Sequence, residues 1–159
     1  MLIRTLLVSF VCTLMFACSN SNSSGSVYSA KEINAYWLKN NLKREGVIAT
    51  DSGLQYKILE KSSGCKPDSD YKVTVHYQML SAKSKKIIDS SYKRGKPSKF
   101  LLSKTVKGWR EGVPMMKVGE TWELYIPPHL AYGSRGSSGV APNSVLISKI
   151  TLVNAHCQD

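Results

Sequence analysis

The sequence holds no CxxC pair, and its three histidines, His76, His129 and His156, stand alone. Structural and catalytic zinc sites need thiolates or imidazoles at short, defined spacings, so no metal and no cofactor is expected. The apolar run from Leu6 to Ala17 falls short of the about 20 residues that a membrane-spanning helix requires. The glycine-rich stretch "YGSRGSSGVAPNS" lacks the Lys-Ser/Thr pair of a phosphate-binding loop and leads into a strand, which removes the nucleotide reading. No internal repeat is visible. Acidic residues are few, 11 against 22 lysines and arginines, for a formal charge of +11.

The N-terminus is informative. Arg4, the apolar run and then Cys18 directly after Ala17 form a secretory signal, and "LMFAC" resembles the lipobox of bacterial lipoproteins. The expectation is a signal peptide over 1–17, a lipidated Cys18 as membrane anchor, and a polar tether, "SNSNSSGS", within 18–28. Ser19 after the cysteine favours sorting to the outer membrane of the bacterial envelope. An exported protein seldom meets nucleic acid, so the basic excess suits anionic lipid headgroups, surface polysaccharide or acidic client proteins. Ten of the basic residues lie between Lys83 and Arg110, where Asp89 is the sole acid. That stretch reads either as a solvated face or as a binding patch. Once Cys12 leaves with the signal and Cys18 takes lipid, Cys65 and Cys157 remain, in an oxidising compartment where a disulfide can persist.

A mature chain of this size supports one core. Ser29 and Glu32 make a capping box, Lys43 and Arg44 suit a last turn, and Gly46 can take the left-handed stop, so a helix is expected over 29–46. Its apolar stripe is Ala35, Leu38 and Leu42, broadened by Ile33, Tyr36 and Trp37. After residue 50 the pattern alternates. Leu54, Tyr56 and Ile58 form one face, Val73, Val75, Tyr77 and Met79 the next, then Trp122, Leu124 and Ile126 before Pro127-Pro128. In the last strand Leu146, Ser148, Ile150 and Leu152 share a face, with Ser148 the polar exception. A short helix begins near Trp109. The class is α+β, a half-open antiparallel sheet wrapping one helix.

From "SGLQYKIL" through "VTVHY", "DSSYKRGKPSKF", "KGWREGVPMMKVGE", "LAYG" and "VLISKITL", the segment 47–159 resembles an FKBP-type peptidyl-prolyl cis/trans isomerase of the macrophage infectivity potentiator group. The resemblance implies five to six strands curled round one helix, with a shallow apolar pocket between them. It implies proline-containing client polypeptides as substrates, macrolide-type compounds as inhibitors, and assistance to the folding of exported proteins. Most of that group's dimerisation arm is missing, which implies a monomer.

Position by position, the resemblance assigns Trp109 to the pocket floor beneath the proline ring and Tyr77 to a side wall. The Val106 N–H would bond the carbonyl after the proline, and the Tyr132 hydroxyl the chain on its other side. Asp89 would lie beside the rotating carbonyl, steadied by Tyr77 and Arg94; an ion pair that merely holds the loop is the competing role. Four positions depart from the family pattern. Ile88 replaces an aromatic, Thr105 an apolar residue, Ser98 follows "GKP", and Ser148 stands where a phenylalanine would close the pocket. These changes predict a wider, wetter pocket and weak catalysis; a chaperone or binding module with little catalysis is the alternative. The glycine-rich loop is expected to be a flexible flap. The family fold also brings Cys65 near the end of the last strand, which implies a Cys65–Cys157 disulfide.

Overall fold

The computed structural model of the chain describes residues 28–68 and 72–157. The segment expected to be a signal peptide, and Cys18, lie outside the described residues. Helix α1 (Ala30–Asn41) begins at the capping box: Ser29 Oγ accepts from the Glu32 N–H at 3.2 Å, and the Glu32 carboxylate accepts from the Ser29 N–H at 2.8 Å.

The far end of α1 corrects the expectation. The helix stops at Asn41, because its last turn is tied to the sheet instead of running on. Asn41 Nδ2 donates to Gln55 Oε1 at 2.9 Å, and Gln55 Nε2 donates to the Leu38 carbonyl at 3.1 Å. Gly46 does take a left-handed conformation (φ +75°), but as the turn into strand β1 (Val47–Ala49). The packed face also differs from the expected stripe. Trp37 and Leu38 pack onto the sheet while Ile33, Tyr36 and Leu42 are exposed. Trp37 sets that rotation by leaning on Tyr125, with ring centroids 6.0 Å apart.

The remaining strands are β2 (Gln55–Glu60), β3 (Lys72–Ser81), β4 (Ile87–Ser90), β5 (Ser98–Leu101), β6 (Thr121–Ile126) and β7 (Leu146–Ala155). Every pairing is antiparallel. The order is β1-β2-β6-β7-β3-β4, with β5 also on β3, so the sheet has seven strands where five to six were expected. The extra members are short, and a strand of three or four residues is too brief for an alternating pattern to register.

Alternation in the long strands builds the core. Val73, Val75, Tyr77 and Met79 of β3 are buried on one face, beside Leu146, Ser148, Ile150 and Leu152 of β7, with Tyr77 opposite Ile150 and Met79 opposite Ser148. Helix α2 (Lys107–Gly112) lies against this concave face. The opposite face carries a smaller cluster, Tyr125, Val145 and Ile147, covered by Trp37 and Leu38 of α1. Cys65 and Cys157 are joined in a disulfide with their Cα atoms 6.0 Å apart.

The glycine-rich loop is pinned. Ser137 and Val140 exchange backbone hydrogen bonds at 3.0 and 2.9 Å, and Val140 is buried in the main core. Of its residues only the first, Tyr132, lines the pocket described next, beside the preceding Ala131.

Candidate functional site

The placement of Trp109 starts with its neighbour. A Cβ built on Gly108 would lie 2.6 Å from Ile126 Cγ2, and one on Gly112 would lie 2.9 Å from Leu124 Cδ1. The two glycines therefore let α2 sit directly on β6, closer than any side chain would allow. Val106 caps the helix in an extended conformation (φ −64°, ψ 152°), and its carbonyl accepts from the N–H groups of Trp109 and Arg110 at 3.0 and 3.1 Å.

With α2 fixed, the indole has little freedom. Trp109 is only 2% exposed, its Nε1–H donates to Ser148 Oγ at 3.1 Å, and two rings stand edge-on to it. Tyr77 meets it at a centroid distance of 5.1 Å and 89°, Phe100 at 5.4 Å and 86°, and Tyr77 meets Phe100 at 5.4 Å and 72°. Edge-to-face packing of this kind stabilises by about 0.5–1.5 kcal/mol per pair beyond area burial. The result is a rigid aromatic box whose indole forms part of the lining of an open cavity of about 520 Å³. That volume is within the range of small-ligand sites.

One wall is polar. The Tyr77 hydroxyl donates to Asp89 Oδ2, Arg94 Nη1 pairs with Asp89 Oδ1, and the Ser90 N–H donates to the same oxygen at 2.7 Å. Arg94 Nη2 donates to the Tyr77 hydroxyl at 3.0 Å and to Ser98 Oγ at 3.1 Å. Burial pushes the Tyr77 phenol above its usual range, and the Asp89 carboxylate that takes its proton in a hydrogen bond adds to this. For Asp89, burial acts to raise the pKa, but the hydrogen bonds from Tyr77, Arg94 and the Ser90 amide outweigh it and hold the carboxyl below its ordinary value. Near neutral pH the wall thus presents a neutral phenol and a neutralised carboxylate, with no group poised to exchange a proton.

Seven of the residues singled out in the sequence line the cavity: Tyr77, Ile88, Asp89, Thr105, Val106, Trp109 and Tyr132. Two do not. Arg94 stands behind Asp89 as a brace. Ser148 is fully buried beneath the indole, so it does not open a gap in the wall or invite water; its hydroxyl is occupied by the indole N–H. Thr105 is likewise satisfied, since its hydroxyl donates to the Leu102 carbonyl at 2.7 Å.

Sequence reasoning missed Met79, Phe100 and Ala131, together with the cations Lys104, Lys107 and Arg110, all of which line the cavity. Met79 follows Tyr77 at the strand period and was open to detection. Phe100 was not, because β5 is too short to reveal which face it buries. Among the described residues no three His, Cys, Asp or Glu side chains stand close enough to share a metal ion.

A wrapped antiparallel sheet that grips one short helix, with an aromatic-lined cavity between them, defines the class of α+β protein to which the chain belongs. Residues 64–153 match the family described as FKBP-type peptidyl-prolyl cis-trans isomerase, and residues 19–58 match the domain described as amino-terminal to it. The chain is 43% identical over 119 residues to the peptidyl-prolyl cis-trans isomerase Mip of Coxiella burnetii, covering 74% of this chain and 51% of that protein. It is 40% identical over 119 residues to the outer membrane protein MIP of Legionella longbeachae, with the same coverage of 74% and 51%. The crystal structure of FkpA from Escherichia coli superposes with a TM-score of 0.75 at 34% identity, covering 79% of this chain and 58% of that one. The chain belongs to the FKBP-type peptidyl-prolyl cis-trans isomerase family. It spans about half the length of the curated relatives it matches.

Proposed function

We propose that this chain catalyses cis/trans rotation about X-Pro peptide bonds in exported polypeptides. The observation that carries the reading is the Trp109 indole, clamped edge-on by Tyr77 and Phe100 in the lining of an open cavity. Amide resonance sets a rotational barrier of about 18–20 kcal/mol, and uncatalysed X-Pro exchange takes about tens to hundreds of seconds. No heavy-atom bond breaks, so the site needs to favour the twisted amide over the planar one.

Three features support that role. The pyrrolidine ring stacks on the flat indole, which fixes the prolyl side while the preceding carbonyl turns. The walls from Tyr77, Ile88 and Phe100 solvate the planar amide dipole poorly, which raises the ground state relative to the twisted form. The Val106 amide N–H, which has no acceptor among the described residues, is held at a fixed cap to anchor the carbonyl after the proline, and the Tyr132 hydroxyl holds the chain on the other side. Asp89, kept ionised and braced by Arg94, faces the rotating carbonyl.

Ile88 supplies less flat aromatic surface to the wall than the family pattern, so the turnover we propose is modest. The segment 47–159 forms the isomerase body, with α1 as a cover on its outer face and Cys18 as a lipid anchor to the bacterial envelope. The Cys65–Cys157 disulfide supports an oxidising location.

The test is NMR exchange on Leu-Pro peptides with the full chain. The expected result is acceleration over the spontaneous rate that falls by about 10- to 100-fold in Trp109→Ala, a loss of about 1.4–2.7 kcal/mol of transition-state stabilisation, with Trp109→Phe intermediate. No acceleration by the folded wild-type chain sinks the reading.

A further inference from the structure

The floor of the cavity is apolar, but its mouth is not. Lys104, in the turn after β5, and Lys107 and Arg110, three residues apart on one side of α2, all line it. Each is exposed, and none has a carboxylate partner among the described residues. The one carboxylate in the lining, Asp89, is already paired with Arg94. Counting the lining gives three cations and one anion, and Arg94 cancels the anion, so three positive charges stand uncompensated around the opening. Glu111, the only acid on α2, is directed elsewhere, since it accepts from the Ser52 hydroxyl at 2.7 and 2.9 Å.

A cation in the first helical turn opposes the helix dipole, which favours acids there. Lys107 is therefore not placed for the stability of α2. Solvation alone is served by lysines anywhere on the surface and gives no reason for three cations to converge on one opening. An extended segment advances about 3.3–3.6 Å per residue, so side chains one or two positions from a proline seated on Trp109 fall within reach of long basic side chains at the rim.

We infer that this site selects proline segments carrying a carboxylate side chain within about two residues of the proline. The inference rests on the isomerase reading of the same cavity and adds the chemistry of its substrates. Asp89 does not oppose it, because its charge is spent on Arg94, and the Tyr77 hydroxyl adds none. An exposed charge pair contributes little, about 0.2–1 kcal/mol, so the selection is a preference and not a requirement.

The experiment compares, with the full chain, peptides bearing Glu or its neutral isostere Gln at each of the two positions before and after proline. Exchange rates are measured by NMR at about 20 mM and about 0.5 M salt, between which screening becomes strong. At low salt, Glu should exceed Gln by about two- to fivefold in at least one position, and the ratio should fall toward one at high salt. In the double variant Lys107→Gln, Arg110→Gln the low-salt ratio should also approach one. A ratio of one at every position in the wild type, with the Gln peptides still accelerated, overturns the inference and leaves the isomerase reading intact. If no peptide is accelerated, that reading fails on its own, and the inference is judged by titrating the same peptides against the Trp109 indole N–H resonance, where equal Glu and Gln affinity overturns it. A wild-type ratio of one combined with charge-dependent binding to vesicles of anionic phospholipid assigns the cations to lipid and overturns it as well.

Discussion

At the scale of single residues, Ser148 changes role between the strand pattern and the packed protein. On β7 it is the one hydroxyl on an apolar face, and burial of an unpaired hydroxyl is costly. The indole N–H resolves this at 3.1 Å, so two buried polar groups satisfy each other. Removing one partner leaves the other unpaired, at about 1–3 kcal/mol. Ser148→Ala should therefore lower the urea midpoint by that order of stability, and move the Trp109 indole resonance toward that of a non-bonded N–H. An unchanged indole signal would show that the contact does not hold the ring.

At the scale of elements, α2 is a helix of six residues that stays in place because it packs closely, not because it is long. Isolated helices of this length do not persist in water. Gly108 and Gly112 reduce the distance to β6, at the expense of helix propensity of about 1 kcal/mol each. Gly108→Ala would regain that propensity, but its Cβ would meet the fully buried, β-branched Ile126 at 2.6 Å. Overpacking at such a site costs about 1–3 kcal/mol and outweighs the gain. The expected outcome is net destabilisation in urea together with a slower isomerase rate, since α2 cannot move without carrying Trp109. A more stable variant with full activity would show that the close approach is dispensable.

For the whole molecule, the disulfide acts at a distance from the chemistry. It joins positions separated by 92 residues, and closing such a loop stabilises by up to about 4–5 kcal/mol in the chain-entropy view. Ser148 and Ala155, at opposite ends of the β7 segment between cavity and disulfide, are about 23 Å apart at the usual strand rise. Cys65→Ser with Cys157→Ser should lower the melting temperature by about 10 °C or more. Isomerase activity at room temperature should be retained, provided the variant remains folded. Loss of activity in a folded variant would reveal coupling along β7 that the packing does not suggest.

The sequence by itself determined the long strands and the capping box at Ser29, because each is a local regularity: a period of two, a spacing of three. The FKBP-like fold was legible for the same reason, from short motifs in order. Only the tertiary structure decided which face of α1 packs, since Trp37 and the Asn41–Gln55 bond turn Leu38 onto the sheet and leave Ala35 and Leu42 of the same stripe exposed. It alone decided that Ser148 lies under the indole instead of in the wall, and that Lys104, Lys107 and Arg110 converge on one opening. Those facts depend on which strands are neighbours and how closely a helix approaches them, and no local pattern carries that information.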